Sequence, residues 1–126
     1  MPSLTGVLLM LLLFALPWAQ DQPSTTPTTN PVKPTAESQA FAKKMYGYDC
    51  ATCHGEKGDG KGDLAVEQKF QMKDWTSEAV LPGITDQQMY DQIVKGKGNM
   101  PPEGDRLKPD QVWNMVIYVR SLGKKS

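Results

Sequence analysis

The only two cysteines and the only histidine of the chain stand within five consecutive residues, Cys50-Ala51-Thr52-Cys53-His54. Thiols three positions apart share one face of a helical turn, and the imidazole follows on the next residue. A Cys-x-x-Cys redox pair would need a thioredoxin-like strand and helix context, and no βαβ pattern exists in the chain. A structural zinc needs four protein ligands, and this unit barely supplies three. A simple disulfide or an incomplete metal site is a weaker reading, since no second cysteine pair provides the missing ligands. The spacing reads as the c-type haem attachment motif. Two thiols at that separation can add to the two vinyl groups along one porphyrin edge, and His54 then points its imidazole at the iron.

Composition narrows the alternatives. Fourteen Lys and Arg balance fourteen Asp and Glu in 126 residues, so the formal net charge is zero. Without a basic run beyond lysine pairs there is no electrostatic footprint for a nucleic-acid backbone. Two cysteines are also too few for a disulfide-dense secreted scaffold.

The chain divides into three parts. Residues 1–19 hold the uncharged apolar run from Gly6 to Leu16, which reads as an export segment: either a cleaved signal peptide or a short membrane anchor. No Lys or Arg precedes the run, and Pro17 with Ala19 only approximates a cleavage site. Residues 20–34, rich in Pro, Thr, Ser, Gln and Asn, form a disordered linker by composition. Residues 35–126 are then the folded domain, too small to be stable on its own core without a staple. Covalent haem would be that staple, with Phe41, Trp75, Ile93 and Trp113 expected to pack against it.

Periodicity predicts an all-α domain. A first helix starts at N-cap Thr35, where Ser38 does not complete a capping box, presents Phe41, Ala42, Met45 and Tyr46, and breaks near Gly47. A middle helix opens on the Thr85-x-x-Gln88 capping box, carries Met89, Tyr90, Ile93 and Val94, and stops at Gly96. A last helix has Pro109 in its first turn behind the poor cap Lys108, aligns Val112, Met115, Val116, Val119 and Leu122, and closes at Gly123. The glycines from Gly55 to Gly62 mark irregular backbone.

These features together resemble a class I (monohaem) cytochrome c, over roughly Glu37 to Leu122. The resemblance rests on Cys50-x-x-Cys53-His54 near the start of the domain, the glycine-rich loop after it, Gly98-Asn99-Met100-Pro101, and the terminal helix ending Tyr118-Val119-Arg120-Ser121-Leu122. It implies a small cytochrome c fold of three to five helices around one covalently attached haem c. It also implies thioether bonds at Cys50 and Cys53, and His54 and Met100 as axial iron ligands. Met100 fits from the residues too, because Gly96, Gly98, Pro101 and Pro102 take it out of any helix. Met72, also in a loop, is its rival, while Met45, Met89 and Met115 lie at helical core spacing. Ala42 would sit at the crossing of the first and last helices with Tyr46 and Tyr118 as aromatic neighbours. The backbone carbonyl of Asp63, where many relatives carry proline, would hold the second nitrogen of His54.

The implied function is one-electron transfer at an exposed haem edge, in an exported, periplasmic or membrane-anchored setting, and not catalysis. Redox partners would dock through a small transient interface flanked by Lys57, Lys61, Lys95 and Lys97. Two alternatives stand beside this: a haem subunit of a larger oxidoreductase complex, and a ligand or redox sensor in which Met100 is displaced. A single attachment motif disfavours a di-haem peroxidase.

Overall fold

A computed structural model describes residues 29–124. The export segment expected at 1–19 and the part of the linker up to residue 28 lie outside the described residues. Among the described residues there are five α-helices and no strand: α1 Ala36–Met45, α2 Ala51–His54, α3 Asp63–Gln68, α4 Asp86–Lys95 and α5 Pro109–Leu122. None of them is long and apolar enough to cross a membrane.

Helix α1 packs across α5 because both present small or branched residues at the contact. Ala42, Val112 and Val116 are completely buried. Full burial of a valine side chain contributes about 1.5–3 kcal/mol, so this crossing carries much of the stability of a domain this size. Tyr46 lies beside it, its ring centroid 5.2 Å from that of Tyr118. The crossing expected at Ala42 is therefore present with both aromatic neighbours. Helix α4 joins α5 through Tyr90, which stacks on Trp113 at 4.2 Å. Arg120 ties α5 to the segment ahead of α4, donating to Asp86 at 2.6 Å and to the carbonyls of Leu81 and Ile84.

The helix ends differ from the sequence reading in two places, at Ser38 and Gly47, and agree with it at the poor cap Lys108. Ser38 does complete a capping box with Thr35: its amide donates to Thr35 Oγ1 at 3.1 Å and its hydroxyl accepts from the Thr35 amide at 2.9 Å. The same hydroxyl lies 2.7 Å from Asn114 Oδ1, so a tertiary partner on α5 holds the serine where it can cap. The chain also does not break at Gly47. A π turn, Tyr46–Cys50, leads directly from α1 into α2, with the Ala51 amide donating to the Tyr46 carbonyl. Glycine permits a break without requiring one, and here the backbone is held helical from both sides. At α5 the Lys108 ammonium cannot accept a bond, and the Gln111 side chain instead accepts from the Lys108 amide at 2.8 Å. The Thr85–Gln88 box forms as the sequence predicts.

Helix α3 has no counterpart in the sequence reading. It completes fewer than two turns and leaves Leu64 and Val66 exposed, so it offers no apolar stripe to detect. The irregular stretch before it is as expected, with Gly55, Gly58 and Gly60 at positive φ. The chain ahead of α1 is docked from Asn30 onward. Asn30 Nδ2 donates to the Trp113 carbonyl at 2.8 Å, and Val32 packs on the core.

Two substitutions test this architecture. Gly47→Ala should raise stability by about 0.4–1 kcal/mol, because a β-carbon there meets nothing within 4 Å and the unfolded chain loses freedom. A broken helix at that point would give a loss instead. Ala42→Leu should cost about 1–3 kcal/mol by overpacking the crossing. Chemical denaturation monitored by circular dichroism reads both.

Candidate haem site

The π turn has a geometric consequence at the motif. Because the chain stays helical from α1 to α2, residues 45, 49 and 53 and residues 46, 50 and 54 fall into adjacent rows on one side. All six, Met45, Asp49, Cys53, Tyr46, Cys50 and His54, line a single cavity of about 450 Å³. That volume is in the range of pockets that enclose a cofactor-sized ligand. Met115 and Val119 of α5 and Met89 and Ile93 of α4 supply apolar walls, and Met72 and Met100 reach the same space. The structure thus brings together every cysteine, histidine and loop methionine that the sequence singles out.

His54 is held from several sides. Its ring stacks on Trp75 with centroids 4.2 Å apart and planes within 16°. Trp75 is fixed in turn by its amide, which donates to the Gly58 carbonyl at 2.8 Å. The carbonyl of His54 accepts from the Gly60 amide at 2.8 Å. Burial lowers the imidazole pKa to about 4, so the ring is neutral at pH 7 and offers an unprotonated nitrogen. Its Nδ1 is buried without a partner. The bond expected from the Asp63 carbonyl is therefore not made. Asp63 is the first residue of α3, where its carbonyl is aligned with the helix axis as an acceptor for the helix's own amides.

Cys50 and Cys53 are free thiols, both half-buried. Burial, followed by the nearby carboxylates of Glu103 and Asp49, raises the Cys50 thiol to about 12. Tyr46 closes the turn after the motif by donating to the Gly55 carbonyl at 2.6 Å. Gly62 runs so close to the carbonyls of Ala51 and Thr52 that no β-carbon fits between them.

Met100 sits in a tight reverse turn. Lys97 and Met100 exchange two backbone hydrogen bonds of 3.0 Å each, and Gly98 takes a φ of 58° to turn the chain between them. Gly96, at φ 69°, ends α4 beneath this turn, and a β-carbon there would meet the Met100 carbonyl and the nitrogen of Pro102. Gln92 of α4 approaches the sulfur, with Nε2 3.7 Å from Met100 Sδ.

Several side chains fall elsewhere than the sequence suggests. Phe41 is 36% exposed and Trp113 packs on Tyr90, and neither lines the cavity. Both lie on helix faces turned from it, a rotation that periodicity alone does not set. Met45, Met89 and Met115 face the cavity as well as the core. Of the four lysines expected to flank the opening only Lys97 lines the cavity, joined by Lys73. Sequence reasoning missed Glu103 and Asp49, whose carboxylates lie in the wall, and Gln92. None of the three sits in a pattern that marks it.

The chain matches the family described as cytochrome c oxidase, cbb3-type, subunit III over residues 37–119. It is 33% identical over 81 residues to the cbb3-type cytochrome c oxidase subunit FixP of Azorhizobium caulinodans, covering 64% of this chain and 26% of that one. It is 32% identical over 84 residues to cytochrome c6 of Cladophora glomerata, covering 67% of this chain and 88% of the relative. A solved structure, the KustC0563 c-type cytochrome, superposes with a TM-score of 0.58 at 25% identity over 66% of this chain and 98% of that one. The chain spans about a quarter of the length of the FixP protein it matches. Fold and cavity thus agree with the comparisons on a small c-type cytochrome domain, of the kind that carries haem c. The chain belongs to the monohaem cytochrome c family, with the cbb3-type oxidase subunit III as the branch whose profile it fits.

Gly96→Ala is expected to lower stability by about 1 kcal/mol or more, since it combines an unfavourable φ with a collision against the Met100 turn. Gly83→Ala, which meets nothing within 4 Å and has no positive φ, is the control and should keep or slightly raise stability, as at Gly47. Equal melting temperatures for the two variants would contradict the geometry of this turn.

Proposed function

We propose that the chain is an exported one-electron carrier. In this reading Cys50 and Cys53 would form the thioether links to haem c, and His54 and Met100 would supply the two protein ligands to its iron. The observation that carries it is the convergence of the four side chains on one largely apolar cavity. The haem would supply one-electron chemistry, and His54 and Met100 together would leave its iron no open place for a small ligand.

The rest of the chemistry belongs to the chain. His54 supplies a neutral nitrogen because burial disfavours its protonated form. Trp75 limits rotation of that ring. Methionine sulfur is a soft, uncharged donor and favours ferrous iron, which raises the reduction potential. Met89, Ile93, Met115 and Val119 exclude water from the cavity and keep the local dielectric low. Neither proton transfer nor bond cleavage in a substrate is required, so the protein is an electron carrier and not itself an enzyme. Its redox partners would meet it transiently at the cavity mouth, with Lys73 and Lys97 as the nearest cations. Residues 1–19 would direct export or tether the domain, with the Pro- and Thr-rich stretch ahead of the docked Asn30 as the spacer.

The match to cbb3-type subunit III over residues 37–119 favours a second reading, in which the same domain relays electrons inside a membrane oxidase. The residue roles are the same in both. Co-purification with oxidase subunits from the native membrane would select the second reading, and a freely diffusing holoprotein that reduces or oxidises soluble partners would select the first.

Two measurements test the ligand set. Haem should remain with the chain after acid-acetone extraction, and release of the haem would remove the thioether assignment. The weak long-wavelength charge-transfer band of ferric iron bound to thioether sulfur should disappear in Met100→Leu and persist in Met72→Leu. The reverse pattern would move the ligand to Met72. Carbon monoxide should bind the reduced protein slowly and incompletely at neutral pH, whereas prompt full binding would favour a sensor.

A further inference from the structure

A cluster of three charged side chains stands at the cavity wall with no role in the ligand set. Asp49 immediately precedes Cys50, and Glu103 follows Met100 after two prolines. Both carboxylate-bearing residues line the cavity, and their side chains are 18% and 8% exposed. Arg106 joins them. Its Nη1 donates to Glu103 Oε2 at 3.0 Å and to Asp49 Oδ1 at 3.2 Å, and its Nη2 donates to both Asp49 oxygens at 3.2 Å.

The two carboxylates are neighbours in the cavity wall but come from different segments of the chain. Asp49 is part of the π turn that leads into the cysteine helix. Glu103 is part of the loop that carries Met100, and its backbone is fixed to α4 by an amide bond to the Ile93 carbonyl at 2.9 Å. The next amide, Gly104, donates to the Val94 carbonyl at 3.2 Å, so the loop is bolted to α4 by main-chain bonds. Among the described residues no comparable backbone bond links the loop to the cysteine helix. The Arg106 guanidinium makes that connection. Pro101 and Pro102 have restricted φ, so a displacement of Glu103 is transmitted to Met100 with little slack.

We propose that Arg106 is a positioning residue, a clasp that ties the Met100 loop to the cysteine-bearing helix at the cavity wall and thereby sets how readily Met100 leaves its place. The proposal rests on the reading of Met100 as an iron ligand and concerns its rate of release, not its identity. A planar guanidinium suits the task because it can face two carboxylates at once, which an ammonium does less well. Glu103 is too buried to be left as a lone charge, so the clasp also neutralises a carboxylate that the loop brings against the cavity. Arg106 itself is 54% exposed, so salt weakens the link.

Imidazole binding to the ferric holoprotein, followed by stopped-flow absorption, tests this, since the incoming ligand can bind only when Met100 has moved off. Asp49→Asn takes the charge out of the link to the cysteine helix, leaving one neutral acceptor for Arg106, and keeps the Arg106–Glu103 pair intact, so no buried carboxylate is orphaned. It should raise the imidazole association rate about two- to fivefold, the range an exposed to half-buried ion pair supports. Arg106→Gln should do at least as much, and Arg106→Lys should fall between it and the wild type. High salt should raise the wild-type rate and leave that of Asp49→Asn nearly unchanged. Equal rates for wild type and Asp49→Asn would overturn the proposal. So would an equal acceleration in Ala42→Leu at matched global stability, which would assign the effect to general loosening. Persistence of the thioether charge-transfer band in Met100→Leu would instead remove the ligand reading, whatever the Asp49→Asn rate, so the two failures are distinguishable.

Discussion

Close contact between α1 and α5 at Ala42 is the constraint on which the rest of the structure depends. With Ala42, Val112 and Val116 wholly buried, the first and last helices approach closely, and every later residue of the α1, π turn and α2 run takes its direction from that contact. Tyr46, next along, is buried and spans from Tyr118 to the Gly55 carbonyl. Its phenol lies well above its ordinary pKa because burial disfavours the phenolate. The hydroxyl therefore stays a donor and holds the end of the cysteine helix. The helix crossing and the haem motif are one mechanical unit, joined within eight residues.

The second half of the site is built on different physics. Met100 is presented by glycines and prolines whose backbone preferences exclude a helix, and the turn is anchored by main-chain bonds to α4. Helices place the cysteines and the histidine, whereas a stiffened loop places the methionine. A helix gives precise spacing, and a loop can be displaced without melting the fold. The ion cluster of Asp49, Arg106 and Glu103 lies where the two constructions meet.

Much of this was legible in the residues. The motif, the Thr85–Gln88 cap, the stripe on α5 and the proline-flanked methionine depend on short-range spacing and backbone stereochemistry, which sequence records directly. What was illegible depended on partners distant in the chain. Ser38 caps because Asn114, 76 residues away, accepts its hydroxyl. Gly47, itself exposed, remains helical because the buried Tyr46 before it and the half-buried Cys50 after it anchor the turn, against its own preference. Phe41 and Trp113 looked like wall residues from their chemistry, and the rotation of their helices sends them elsewhere. Helix α3 is too short to leave a periodic trace.

The sequence by itself determined the class of cofactor and the residues able to hold it. Two thiols and an imidazole at fixed offsets on one turn meet a requirement set by covalent geometry, independent of the rest of the chain. Only the tertiary structure decided which methionines share the cavity, that Trp75 backs the histidine in place of an Asp63 carbonyl, and that two acidic residues are clasped by Arg106 in its wall. Those relations are set by how helices far apart in sequence rotate and cross, which side-chain volumes at Ala42, Val112 and Val116 fix together and no single segment encodes.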